Sequence, residues 1–125
     1  MKGRRTGKLS GLLPRLKLWL GSEKGAATFG DGKWRLLEAI DREGSLKAGA
    51  DRLAISYRKA WGDLKKAEQG LGIRLIERHR GGFGGGRTLL TPAGKQWLAA
   101  YTGFRTQVEQ AAEKAFHLNF KGIIK

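Results

Sequence analysis

Ser45 and Ser56 each stand at the head of a stretch whose apolar residues fall at helical spacing, and only Ala54 and Ile55 lie between the two stretches. A serine hydroxyl at such a position accepts a bond from an unpaired N–H in a helix's first turn, so both stretches are expected to be helices. The first carries Leu46, Ala50 and Leu53. In the second, Ala60, Leu64, Ala67 and Leu71 make one buried stripe, opposite a face with Arg58, Gly62, Lys65, Lys66 and Gln69. Two helices joined by a tight turn are the frame into which the rest of the chain has to fit.

Before this pair, Asp31 is placed to cap a helix that starts near Lys33, with Trp34, Leu37 and Ile40 recurring on one face and Gly44 at its end. Residues 15–20 alternate, Leu16, Leu18 and Leu20 against Arg15, Lys17 and Trp19, and read as a half-buried strand with a short partner at 26–29. Beyond the pair, residues 73–80 and 87–91 read as a hairpin around the glycine-rich loop 81–86. Thr91 followed by Pro92 is a strong helix start, because proline lacks the N–H that would go unpaired there. The helix that follows places Trp97, Tyr101, Phe104, Val108, Ala111, Ala115 and Leu118 at alternating steps of four and three, the spacing of a coiled-coil seam. Residues 1–14, rich in Lys, Arg and Gly, lack periodicity and are expected to form a flexible basic arm.

At 125 residues the chain holds about one domain, and its formal net charge of +14, with a pI near 10.7, is the footprint of a polyanion binder. Nucleic acid is the polyanion expected. Without cysteine, and with only His79 and His117, the chain offers no zinc site, disulfide framework or thiolate nucleophile, so no metal or other cofactor is expected. There is no apolar run of the roughly 18 residues that a membrane span requires, and Gly11, Pro14, Arg15 and Lys17 break up the N-terminal leucines. The expected location is cytoplasmic, associated with the nucleoid. The loop "GGFGGGRT" lacks the Lys followed by Ser or Thr of a phosphate-cradling nucleotide loop, and no nucleophile and base pair or carboxylate pair stands out, so no catalytic residue is assigned.

Three groups of residues carry the functional expectation. In a helix-turn-helix the second helix enters the major groove, which gives base readout to Ser56, Tyr57, Arg58, Trp61 and Gly62. Phosphate contacts fall to Ser45, Lys47, Lys59, Lys65 and Lys66. The hairpin reads as a wing, with Arg78, His79, Arg80, Gly82, Gly84 and Arg87 along phosphates or the minor groove. Pairing of the final helix's seam would set two such units about a two-fold axis, suited to an inverted repeat.

These residues also carry a family likeness. "LLEAIDREGSLKAGADRLAISYRKAWGDLKKAE", followed by "ERHRGGFGGGRTLLTPAGKQWL", closely resembles the DNA-binding half of ModE-type molybdate-responsive regulators, and more loosely the LysR-type winged-helix domains. The likeness runs over residues 15–98 and is sharpest at "ISYRKAW", the glycine-rich wing and "LTPAG". It implies a winged helix whose third helix reads DNA through Ser56, Tyr57, Arg58 and Trp61, with the long helix dimerising. Regulators of this type resemble one another in a C-terminal oxyanion-binding region, for which no sequence follows Lys125, so molybdate binding is not carried over.

The expected fold is thus α+β, mainly α: a winged helix-turn-helix over residues 15–91, with a small antiparallel sheet, and a long C-terminal dimerisation helix with a short tail over 92–125. The expected function is sequence-specific recognition of double-stranded DNA by a homodimeric, non-enzymatic transcription regulator. A nucleoid-type architectural protein with little sequence preference is the alternative. A separate effector or regulator protein, paired through the long helix, is the other partner class considered.

Overall fold

A computed structural model describes residues 10–79 and 86–124. Its elements in chain order are β1 (Trp19–Gly21), β2 (Ala27–Gly30), α1 (Asp31–Glu43), α2 (Leu46–Arg52), α3 (Tyr57–Leu71), β3 (Ile76–His79), β4 (Arg87–Leu90) and α4 (Pro92–Phe120). This is the mainly helical winged helix-turn-helix expected, with two separate two-stranded antiparallel sheets, β1–β2 and β3–β4. Backbone packing divides the chain into a larger unit, Leu18–Tyr101, and a smaller one made of the residues on either side of it.

Both serine caps form. Ser45 Oγ accepts from the Ala48 N–H at 2.9 Å and Ser56 Oγ from the Lys59 N–H at 3.0 Å. The chain turns between the two helices by taking Ala54 into the left-handed region, φ 59°, while the Ile55 N–H bonds back to the Ala50 carbonyl at 3.0 Å. The α3 stripe is buried as its spacing requires, with Ala60, Leu64 and Ala67 fully enclosed and Leu71 packed at its edge. Leu37 and Ile40 of α1 and Leu46 and Ala50 of α2 close over it, and α1 ends at Gly44 in the left-handed conformation, φ 81°. Burying side chains of this size contributes about 1.5–3 kcal/mol each, so this three-helix core is what fixes α3 in place.

Several boundaries differ from expectation, each for a physical reason. The first strand is shorter than residues 15–20. Its partner ends at Gly30, opposite Trp19, where the chain turns into α1, so the β1–β2 ladder ends there. Helix α1 begins at Asp31 itself, with Gly30 as the capping residue and no side-chain cap. The Asp31 carboxylate accepts from the Leu18 N–H at 3.0 Å and the Tyr101 hydroxyl at 2.9 Å, which ties the start of the helix to β1 and to α4. The second hairpin starts at Ile76 rather than 73, and it stops at Leu90 because Thr91 opens α4. Of the loop 81–86 and its neighbour Arg80, only Gly86 lies within the described residues.

Thr91 performs the expected capping: its Oγ1 accepts from the Gly94 N–H at 2.8 Å, and it also donates to the Arg74 carbonyl at 2.6 Å. With 29 residues, α4 is about 43 Å long. The seam expected along it divides in two. Tyr101 is only 2% exposed, with its hydroxyl bonded to Asp31 and to the Leu18 carbonyl, and Trp97 packs edge-on against Phe29 at 5.3 Å. Both are spent on the core of their own unit, so the spacing shared with the rest of the stripe does not make them partner-facing. Phe104 and Leu118, by contrast, are 41% and 74% exposed, with Ala111 and Ala115 exposed between them. In the smaller unit Arg105 donates to the Leu16 carbonyl at 3.4 Å and pairs with Glu109, and the Phe116 and Phe120 rings meet at 5.1 Å. Among the described residues, no helix is long and apolar enough to cross a membrane.

Candidate nucleic-acid interface

The N-terminal ends of α2 and α3 and the β3–β4 hairpin meet around one concavity. Its volume is about 680 Å³, and Ser45, Lys47, Tyr57, Arg78, His79 and Arg87 lie on its lining. The hairpin is brought there by its register, which sets His79 opposite Arg87 and Arg78 opposite Thr88. Thr88 is buried and its N–H bonds to the Gly44 carbonyl at 3.1 Å, which ties β4 to the end of α1. No acidic residue is among the described lining residues, and Lys47, Arg78 and Arg87 give the concavity a positive lining.

Of the side chains assigned to base readout, Ser56, Tyr57 and Arg58 lie at the exposed start of α3. Ser56 spends one oxygen lone pair on its own helix and keeps its hydroxyl proton free to donate. Gly62 has open space where a Cβ would stand, so nothing in the packing demands glycine at this position of the helix. Trp61 is half-buried against the core, with Lys65 Nζ 4.7 Å and the Arg78 guanidinium 4.9 Å from its ring centroid.

The lysines assigned to phosphate differ among themselves. Lys47 pairs with Asp51 at 3.1 Å and Lys59 with Asp63 at 3.0 Å, both along the exposed surface of their helices. Such pairs contribute little and open readily. Lys65 is held more firmly, between Trp61 and a 3.2 Å bond to Glu68, whereas Lys66 is exposed. In the hairpin Arg78, His79 and Arg87 are exposed; Arg80, Gly82 and Gly84 lie outside the described residues.

Two joints that position this surface were not read from the sequence. Near the end of α3, Glu68 Oε2 accepts from the Leu75 N–H at 2.7 Å and the Ile76 N–H at 3.3 Å, bonding the entry of the hairpin to α3. Burial of this carboxyl raises its pKa, but the two backbone N–H donors and Lys65 outweigh burial and hold it below the ordinary carboxylate value. The second joint is Gly94, where the first turn of α4 rides directly on the Leu75 carbonyl. Only the "LTPAG" stretch hinted at it. Among the described residues, no group of three or more His, Cys, Asp or Glu is gathered as a metal ion would require.

The chain and its fold have known relatives. The chain is 33% identical over 100 residues to the molybdenum-pterin-binding protein MopB of Rhodobacter capsulatus, a match covering 78% of this chain and 37% of that protein. It is 36% identical over 77 residues to the DNA-binding transcriptional dual regulator ModE of Escherichia coli K12, covering 62% of this chain and 29% of the relative. The chain therefore spans about a third of the length of these curated relatives. Among solved structures, a CbnR DBD–DNA complex superposes with a TM-score of 0.55 at 23% identity, over 67% of this chain and 91% of that one, a likeness of fold. The model of the bacterial regulatory helix-turn-helix proteins of the LysR family matches residues 32–95, which run from α1 through the paired helices and the hairpin to the first turn of α4, and to that family this chain belongs.

Proposed function

We propose that this chain is a sequence-specific binder of double-stranded DNA that acts as a homodimeric transcription regulator. The observation that carries the reading is the juxtaposition of an exposed α3 N-terminus, bearing Ser56, Tyr57 and Arg58, with a concavity whose described lining holds donors and cations and no carboxylate. In it, Arg58 reads a base edge in the major groove, with Ser56, Tyr57 and Trp61 beside it, and Gly62 lets the duplex approach the helix closely. Ser45, Lys47, Lys59, Lys65 and Lys66 meet phosphates, and the hairpin, from Arg78 to Arg87, steadies the register as a wing. The name of the Escherichia coli relative, a DNA-binding transcriptional dual regulator, supports the same reading.

Dimerisation uses the remainder of the α4 stripe: exposed Phe104, Ala111, Ala115 and Leu118, with half-buried Val108 among them. Pairing two copies there presents two α3 helices to an inverted repeat, and occlusion of a promoter is the simplest regulatory consequence. Residues 1–14 serve as a basic arm, residues 15–91 as the DNA-binding domain and 92–125 as the dimerisation element, in a protein that works in the cytoplasm on the nucleoid.

Arg58→Ala and Lys66→Ala distinguish the two kinds of contact. Loss of the arginine is expected to cost ~1–3 kcal/mol on the preferred duplex and little on random duplex. Loss of the lysine should weaken both alike and lower the slope of log affinity against log salt by about one. Titration of both duplexes over a salt series measures this; equal losses on the two from Arg58→Ala would remove that residue from base readout.

A further inference from the structure

Arg78 sits on the hairpin, yet its interactions run to the recognition helix. Its Nη2 donates to the Tyr57 hydroxyl oxygen, its guanidinium lies 5.9 Å from the Tyr57 ring centroid, and it lies 4.9 Å from that of Trp61. Trp61 carries a second cation, Lys65 Nζ at 4.7 Å, and that lysine is anchored in turn by Glu68. A charged, planar group placed over two aromatic rings and bonded to one of them gives up much of its freedom to swing toward solvent. The bond also has a chemical consequence. Once Tyr57 accepts from Arg78, the phenol's own proton has to be donated elsewhere, and the exposed side of the residue lies at the start of α3.

We propose that Arg78 is a positioning residue: a strut from hairpin to recognition helix that fixes Tyr57 as a hydrogen-bond donor aimed at an acceptor on the duplex. The inference rests on the DNA-binding reading above and refines one part of it, in which Arg78 counts among the wing residues that steady the register. A strut depends on the planar fork and the stack, which lysine lacks, whereas a cation serving only as charge beside a phosphate is replaced by lysine at small cost. The acceptor it favours is a purine N7, guanine O6, thymine O4 or phosphate oxygen, and an amino edge such as cytosine N4 is disfavoured at the same spot.

The test uses the full chain and has two parts. In the free protein, NMR of the arginine side chains should show the Arg78 protons displaced by the ring currents of Tyr57 and Trp61, and the displacement should shrink in Trp61→Leu. Arg78 signals at ordinary exposed positions overturn the strut whatever the protein does with DNA. On the duplex best enriched from a random pool, Arg78→Ala, Arg78→Lys and Tyr57→Phe are each expected to lower affinity about tenfold, the scale of one hydrogen bond in a desolvated interface, with the Tyr57→Phe/Arg78→Ala double variant no worse than about tenfold. Wild-type affinity in Arg78→Lys, or losses that multiply to about a hundredfold in the double variant, would overturn the proposal. If no duplex is enriched, the sequence-specific reading fails, and the NMR result still decides the strut by itself.

Discussion

Gly94→Ala is expected to destabilise the protein by about 3 kcal/mol and to lower its Tm by roughly 10 °C, which thermal unfolding followed by circular dichroism measures directly. A methyl group at this position would lie 2.1 Å from the Leu75 carbonyl oxygen and 2.9 Å from its carbon. The obstacle is backbone and cannot rotate away. That carbonyl also accepts from the Thr91 N–H at 3.0 Å, and the same residue's N–H is held by Glu68, so the Leu75 peptide is pinned from both sides while its side chain is fully buried. To admit the methyl, either α4 must lift off or the joint between α3 and the hairpin must shift. Helix propensity argues in the opposite direction, since alanine is favoured over glycine by about 1 kcal/mol in a helix interior. Gly103, in the same helix with nothing within 4 Å of the point where a Cβ would stand, is therefore the control: Gly103→Ala should stabilise by about 0.5–1 kcal/mol. A Gly94→Ala protein as stable as the parent would show that α4 does not rest on Leu75 as described.

Glu68→Ala is expected to cost about 3 kcal/mol at neutral pH in denaturant unfolding, because it leaves the N–H groups of two buried residues, Leu75 and Ile76, without their acceptor. The pH dependence follows from the sign of the shift. The carboxyl's pKa in the folded chain lies below its ordinary value of 4.5, so the folded state favours the ionised form. Its contribution is fully present above the unfolded-state value and is lost as pH falls through the lower folded value. Glu68→Gln keeps a carbonyl oxygen in place and should lose only about 1 kcal/mol at neutral pH, while removing this residue's share of the decline in acid. Stability of Glu68→Ala within about 0.5 kcal/mol of the parent would mean that the α3–hairpin joint is held by other contacts.

Local chemistry made much of this fold legible. The hydroxyls of Ser45, Ser56 and Thr91 act within three residues of themselves, so their capping could be read from spacing alone, and all three caps form. The stripe of Ala60, Leu64 and Ala67 was legible for the same reason, since one helix face has to be buried. What escaped reading depends on residues far apart in the chain. Asp31 has the type and position of a cap, but its bonds to Leu18, 13 residues away, and Tyr101, 70 residues away, could not be read from local spacing. Tyr101 and Phe104 share one heptad pattern, yet the first is 2% exposed and the second 41%, a distinction that periodicity does not carry. Arg78 presented itself as one of several basic residues beside a glycine-rich loop; its stacking on Tyr57 and Trp61 appears only when the hairpin folds back over α3.

Selection of bound duplexes from a random pool at near-physiological salt decides whether α3 reads sequence and whether two copies do so together. With a net charge of +14 the protein will hold any DNA to some degree, so each selected site has to be compared with random duplex under the same salt. The account predicts enrichment of an inverted repeat bound ~10³-fold more tightly than random DNA. A pool that stays random, with uniform affinity across duplexes, would contradict it and leave the electrostatic coating of DNA as the function of this surface.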